Sequence, residues 1–247
     1  MSNNPEGPLK DEGSTSKIID IEAIDDTKKP FIFDSQIQIG KKLSSYSTDV
    51  IKNEPMLFSC TWNFAYENGG EPTKEFLLSL PKELHNDKTI IDSRVHMLMP
   101  GWFPCIPGYH HDDVPRDNVQ PNYFNPSYRS KHALILFNGE VCPTEFAIGK
   151  SEFPKIEDGE IYYKVWHPIV IDKIKNGELK HIKAPSDTVV FFDDRTWHQG
   201  TKAVKSGWRL FIRASWDTGR KPSNELRRQV QVYMENPMEG WSLKTVF

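Results

Sequence analysis

Cysteine is scarce in this 247-residue chain, and its scarcity excludes two classes at once. Only Cys60, Cys105 and Cys142 occur, an odd and widely spaced set. They offer neither a disulfide framework nor the clustered thiolates of a structural zinc site. A reducing, cytoplasmic setting is the expectation. Long apolar runs are missing too: no stretch approaches the roughly 20 apolar residues that span a bilayer as a helix. Met1 to Ser16 has neither an apolar signal-peptide core nor an Arg-rich amphipathic pattern. An excess of positive charge is likewise absent. Thirty-one Lys and Arg stand against thirty-four Asp and Glu, a net charge of −3, so no global field draws the chain to phosphate backbones or anionic lipid.

Aromatic residues are plentiful, with fourteen Phe, eight Tyr and seven Trp, and Pro outnumbers Gly at eighteen to fifteen. That mixture suits short strands joined by irregular loops. The length suits one β-rich domain. Residues 1–29 are polar around a single apolar patch, Ile18 to Ile21, and are expected to form a flexible tail; 30–247 would be one domain. Within Glu71 to His85, the spacing of Phe76, Leu77 and Leu80 predicts an amphipathic helix that Pro81 disturbs.

From Ile90 onward the pattern becomes strand-like. Arg94 to Met99, Lys131 to Phe137, Glu145 to Ile148, Ile161 to Val165, Ile169 to Ile171, Thr188 to Phe192 and Trp208 to Trp216 are each bounded by Gly, Pro, Asp or Asn. Asn138-Gly139 reads as a hairpin-type turn. Glu225 to Met234 fits strand or helix. Many short strands without intervening helices predict an antiparallel barrel or jelly roll, mainly β with flanking helices on its N-terminal side.

The densest group of metal-capable side chains is Gly108-Tyr109-His110-His111-Asp112-Asp113. His110 and Asp112 are two apart, so on an extended chain they leave the same face and can reach one ion. His111 and Asp113 have the same spacing and remain an alternative; His110 is preferred because it follows Gly108-Tyr109 directly and leaves Asp113 for a supporting role. The third candidate is His198, just beyond the β-prone Thr188 to Phe192. Two imidazoles and one carboxylate leave coordination positions open, the arrangement that non-heme iron(II) oxygenases use.

Eleven and fifteen residues after His198 stand Arg209 and Arg213. Strand periodicity puts Arg209, Phe211, Arg213 and Ser215 on one face and Leu210, Ile212, Ala214 and Trp216 on the other, which the N-terminal helical region is expected to cover. Inside a barrel an arginine needs a partner, and a carboxylate suits its forked donors.

His-x-Asp, a distal His eighty-six positions beyond that Asp and an Arg shortly afterwards resemble the iron(II)- and 2-oxoglutarate-dependent dioxygenases. The stretch Arg209-Leu-Phe-Ile-Arg-Ala-Ser is similar to the arginine pair of the taurine-dioxygenase-like and phytanoyl-CoA-hydroxylase-like branches. The resemblance spans roughly residues 90 to 216 and implies a cupin-like double-stranded β-helix (jelly roll). It implies iron(II) held by His110, Asp112 and His198, and Arg209 on the distal carboxylate of 2-oxoglutarate. Arg213 would assist with co-substrate or an anionic substrate group, and Thr144 would place a hydroxyl near 2-oxoglutarate. The implied reaction is hydroxylation, with release of succinate and carbon dioxide. A small-molecule substrate is favoured over a protein side chain or a nucleobase. Two other expectations are a cupin-like oxygenase that needs no 2-oxoglutarate and a metal-free β-barrel binding protein.

Overall fold

A computed structural model describes residues 30–234, apart from 118, 119, 125, 158 and 159. The expected tail, 1–29, and the end of the expected domain, 235–247, lie outside the described residues. The chain opens with β1 (Phe31–Ser35), β2 (Ile37–Lys42), α1 (Thr48–Lys52), β3 (Met56–Phe58) and β4 (Cys60–Thr61), then α2 (Trp62–Asn68) and α3 (Glu71–Ser79). The long β5 (Ile90–Leu98) leads through the small ribbon β6 (Arg116–Asp117) and β7 (Gln120–Pro121) to β8 (Lys131–Phe137), β9 (Thr144–Phe153) and α4 (Tyr162–Lys175). Next come β10 (Lys180–Lys183), β11 (Thr188–Asp193), β12 (Trp197–Gly200), β13 (Gly207–Trp216) and β14 (Glu225–Arg227).

The architecture is mainly antiparallel β. One sheet has six strands in the order β2-β11-β8-β13-β5-β4. In the other, β9 pairs with β10 and β12 along its first half and with β1 along its second. The change of partner falls at Gly149, whose φ of +134° suits a residue without a Cβ. The inner faces meet where Leu134, Leu136, Val190 and Phe192 of the six-stranded sheet pack on Phe146 of β9.

The outer face of the six-stranded sheet buries Val95, Ile135, Leu210, Ile212 and Ala214 against Ile51, Ala65, Phe76 and Leu77 of the N-terminal helices, as the alternation along β13 predicts. Gly70, before α3, offers no side chain to cap the helix. Glu54 takes that place, accepting from the Gly70 N–H at 2.9 Å and from the Thr73 hydroxyl at 2.5 Å.

Three sequence expectations are corrected. Ile161 to Val165 and Ile169 to Ile171 are not strands: Ile161 is the N-cap of α4 and the others lie within it, the helix running through Pro168. The β-branched triplet and the proline suggested two broken strands; the buried stripe formed by Trp166 and Val170, four residues apart, outweighs them. Helix therefore does intervene between the strands. Asn138-Gly139 is not a hairpin turn either: Asn138 adopts φ +55° and a 3-10 turn, Gly139–Val141, carries the chain from β8 in one sheet to β9 in the other. Of Glu225 to Met234, only Glu225–Arg227 is regular, and it is strand.

Trp166 anchors α4: it is fully buried, donates its indole N–H to the Pro154 carbonyl at 2.9 Å and packs on Phe31, Phe33, Phe153 and Trp197. Trp166→Ala is expected to cost about 3–5 kcal/mol, read as a lower urea midpoint at unchanged slope. A loss under about 1 kcal/mol would show that α4 is not held through this ring.

Candidate metal centre

His110 and His198 are brought together by backbone pairing. The His110 N–H donates to the His198 carbonyl at 3.0 Å and the His198 N–H returns a bond to the His110 carbonyl at 3.2 Å. Residues paired in this way project side chains from one face, and the two rings lie 4.6 Å apart, centroid to centroid. Asp112, two positions on, shares the face. Its carboxylate oxygens are 3.7 Å from His110 Nε2 and 3.2 Å from His198 Nε2. One ligand atom from each of these three residues lies within 4.8 Å of the others.

Period-two alternation sends the neighbours the other way. His111 is buried against Trp197 with ring centroids 3.8 Å apart, and its Nδ1 pairs with the Tyr123 hydroxyl at 2.7 Å. Asp113, at φ +49°, turns toward Arg213 and Arg220, 3.6 Å from each. Neither His111 nor Asp113 joins the group formed by His110, Asp112 and His198.

The donor set fits a divalent metal. His110 Nδ1 lies 2.8 Å from the Gly108 carbonyl and His198 Nδ1 lies 2.9 Å from the Thr196 carbonyl. A carbonyl only accepts, so each Nδ1 carries a proton, which in the neutral ring leaves the Nε2 lone pair for a metal. Burial, then the neighbouring His198, holds His110 below its ordinary pKa, which favours the neutral ring. Burial would raise the Asp112 carboxyl, but Arg213 and the two histidines outweigh it and keep it well below the usual carboxylate range. Orientation of the His198 ring thus falls to the Thr196 carbonyl, while Asp193 and Asp194 pair with Arg129.

The centre opens on a cavity of about 900 Å³ whose lining includes Thr144, Phe192, Arg209 and Arg213. Arg213 bonds Asp112 and has Asp92 and Asp113 within 3.7 and 3.6 Å, so its charge is already matched. Arg209 is different. It is 2% exposed, its one hydrogen-bond partner among the described residues is the Thr144 hydroxyl at 3.4 Å, and its Nε has none. Burial accordingly lowers its pKa. A buried guanidinium without a carboxylate costs several kcal/mol, which an incoming anion would offset.

In Trp102-Phe103-Pro104-Cys105, which precedes the site, Phe103 is buried while Pro104 and Cys105 line the cavity, so the stretch serves as both core and wall. Two lining residues, Asp92 and Arg94, went unrecognised in the sequence. Their signal is there: Asp92, Arg94 and His96 occupy alternate positions of a strand whose other residues, Ser93 apart, are apolar.

His96 is 1% exposed, and its Nε2 lies 3.2 Å from the Gln231 carbonyl, to which it must donate; Nδ1 is left bare. Burial, then Arg209, pushes its pKa down to about 4. An unfolded histidine titrates near 6.5. As pH falls from about 6.5 to 4, the unfolded chain therefore binds the extra proton, and His96 subtracts stability on the order of 3 kcal/mol. His96→Gln is expected to flatten the pH dependence of urea unfolding across that window; a slope equal to that of the wild type would refute this.

No protein-family model matches the sequence, and no curated protein matches it. Among solved structures, the chain is similar to a novel N-substituted L-amino acid dioxygenase from Burkholderia ambifaria AMMD, at 11% identity and a TM-score of 0.29 over 50% of this chain. It spans 47% of that protein, about half its length. Iron-bound HygX from Streptomyces hygroscopicus aligns at 11% identity and a TM-score of 0.32, covering 78% of this chain and 84% of HygX. Likeness this slight fixes no chemistry, which rests on the residues themselves. Among the described residues no helix is long and apolar enough to cross a membrane.

Proposed function

We propose that this protein is an iron(II)- and 2-oxoglutarate-dependent dioxygenase on a double-stranded β-helix, hydroxylating a small molecule with release of succinate and carbon dioxide. The observation that carries the reading is the pairing of a two-histidine, one-carboxylate centre with a buried Arg209 in the same cavity that, among the described residues, has no carboxylate partner. The location of that cavity, among residues of two packed antiparallel sheets, supports the fold assignment.

His110 and His198 would ligate through Nε2 and Asp112 through its carboxylate, with Arg213 orienting that carboxylate. Bound iron(II), with 2-oxoglutarate, supplies the oxygen activation that protein side chains lack. Arg209 would hold the distal carboxylate of the co-substrate, helped by the Thr144 hydroxyl, since Arg213 is committed to aspartates. The sheet residues Leu134 and Phe192, which line the cavity, would limit water near the reacting centre.

Anaerobic addition of 2-oxoglutarate to the iron(II) protein is the test. A visible metal-to-ligand charge-transfer band is expected. With stoichiometric iron bound, its absence would leave an oxygenase that chelates its substrate directly, recognised by oxygen uptake without 2-oxoglutarate. A well-folded protein that takes up no iron would instead be a binding protein.

A further inference from the structure

Among the described residues, the cavity lining holds seven Arg and Lys against three Asp, so it remains cationic even after iron(II) and 2-oxoglutarate, whose charges cancel, have bound. The three aspartates are all engaged: Asp112 by Arg213, Asp92 by Arg213 and by Arg220 at 2.8 Å, and Asp113 by both arginines at 3.6 Å. Arg94 has no such partner. It lies on the inner side of β5, opposite Phe211 of β13 and between the positions of Asp92 and His96. Among the described residues it makes no ion pair or hydrogen bond, although it is half-buried in the cavity wall. Arg227 lines the same wall, stacked over Phe58 at 4.3 Å and 3.8 Å from Asp92. Arg94 and Arg227 both flank Asp92, Arg94 two positions along β5 from it and Arg227 3.8 Å away, and after burial the charge of Arg94 is the next influence that holds Arg227 below its ordinary pKa.

An arginine that has lost part of its hydration and gained no counter-charge is a site awaiting an anion. We propose that Arg94, with Arg227 beside it, binds the anionic group of the primary substrate, which is therefore a small molecule carrying a carboxylate, sulfonate or phosphate. This rests on the reading that 2-oxoglutarate occupies Arg209. It moves the substrate anion from Arg213, where the sequence suggested it, to a residue whose charge is free. The same cavity is flanked by Ile106 and Ile161, 67% and 64% exposed, which suit an apolar body behind the charged group.

Calorimetry on the full chain, loaded anaerobically with iron(II), tests both layers separately. 2-Oxoglutarate is titrated first; its failure to bind would sink the co-substrate reading alone. Hexanoate and inorganic phosphate are then titrated into the saturated protein, or into Arg209→Met protein if 2-oxoglutarate does not bind. At least one of these anions is expected to bind. Arg94→Gln should weaken it about tenfold or more, Arg94→Lys should weaken it less, and 2-oxoglutarate affinity should stay within about twofold, which also reports that the variants fold. Three outcomes would overturn the proposal: neither anion binds the wild type, Arg94→Gln binds as tightly as the wild type, or Arg94→Gln loses 2-oxoglutarate as fully as Arg209→Met. The last would make Arg94 part of the co-substrate pocket.

Discussion

Arg209→Met is expected to weaken 2-oxoglutarate binding on the order of 100-fold while leaving iron affinity within about twofold. Removing one partner of a desolvated, hydrogen-bonded charge pair costs about 2–5 kcal/mol, and 100-fold is about 2.7 kcal/mol. Arg209 should sit at the strong end because it is 2% exposed and, among the described residues, its one hydrogen-bond partner is the Thr144 hydroxyl. Titration of the charge-transfer band of the anaerobic iron(II) protein measures it. A loss smaller than about threefold would place the co-substrate elsewhere. The same substitution carries an opposite expectation for stability. In the free protein it removes a buried charge without a counter-ion, so unfolding should become harder by roughly 1–3 kcal/mol. A variant that binds worse yet folds better is the signature of a residue kept for its ligand. Arg213→Met should behave in reverse: it strips Asp112, Asp92 and Asp113 of a shared cation, so both stability and iron affinity should fall.

How far the sequence revealed this site depends on the kind of signal. Period-two alternation sorted β13 into a core face and a charged face, and the structure places Leu210, Ile212 and Ala214 in the outer core and Arg209 and Arg213 on the cavity. Lys131 to Phe137 was legible to the residue because charge and Asn bound an apolar run. The path of the chain after Asn138 was not legible. Whether it turns back or crosses to the second sheet is decided by partners more than forty residues away, such as Gly139 N–H on the Ser186 hydroxyl at 3.0 Å. α4 was misread because β-branched composition was weighed above spacing, although Trp166 and Val170 already marked a helical stripe. Arg94 was missed for another reason. An unpaired charge is recognised only once the reach of every aspartate is known, and that is a property of the fold.

The choice between the doubled residues of His110-His111-Asp112-Asp113 gives the sharpest test of the metal centre. His110→Ala and His198→Ala should each abolish stoichiometric iron binding and reduce turnover on the order of 1000-fold or more, since each would remove one of the three proposed donors and no fourth protein donor stands near among the described residues. His111→Ala should keep iron within a few-fold. Its cost falls on folding instead, because the ring is wedged against Trp197 and bonded to Tyr123, which in turn pairs with the Tyr163 hydroxyl at 2.9 Å. Losing such a buried, bonded ring should cost about 2–4 kcal/mol. The underlying distinction is the phase of a strand. Tyr109 is 1% exposed and packs in the core behind the sheet, so His111 must share that side and His110 the other. Asp113 escapes the alternation through its positive φ, which swings it to the arginines. If His111→Ala loses iron while His110→Ala keeps it, that phase is wrong and the metal does not sit on the Asp112 and His198 side of this segment.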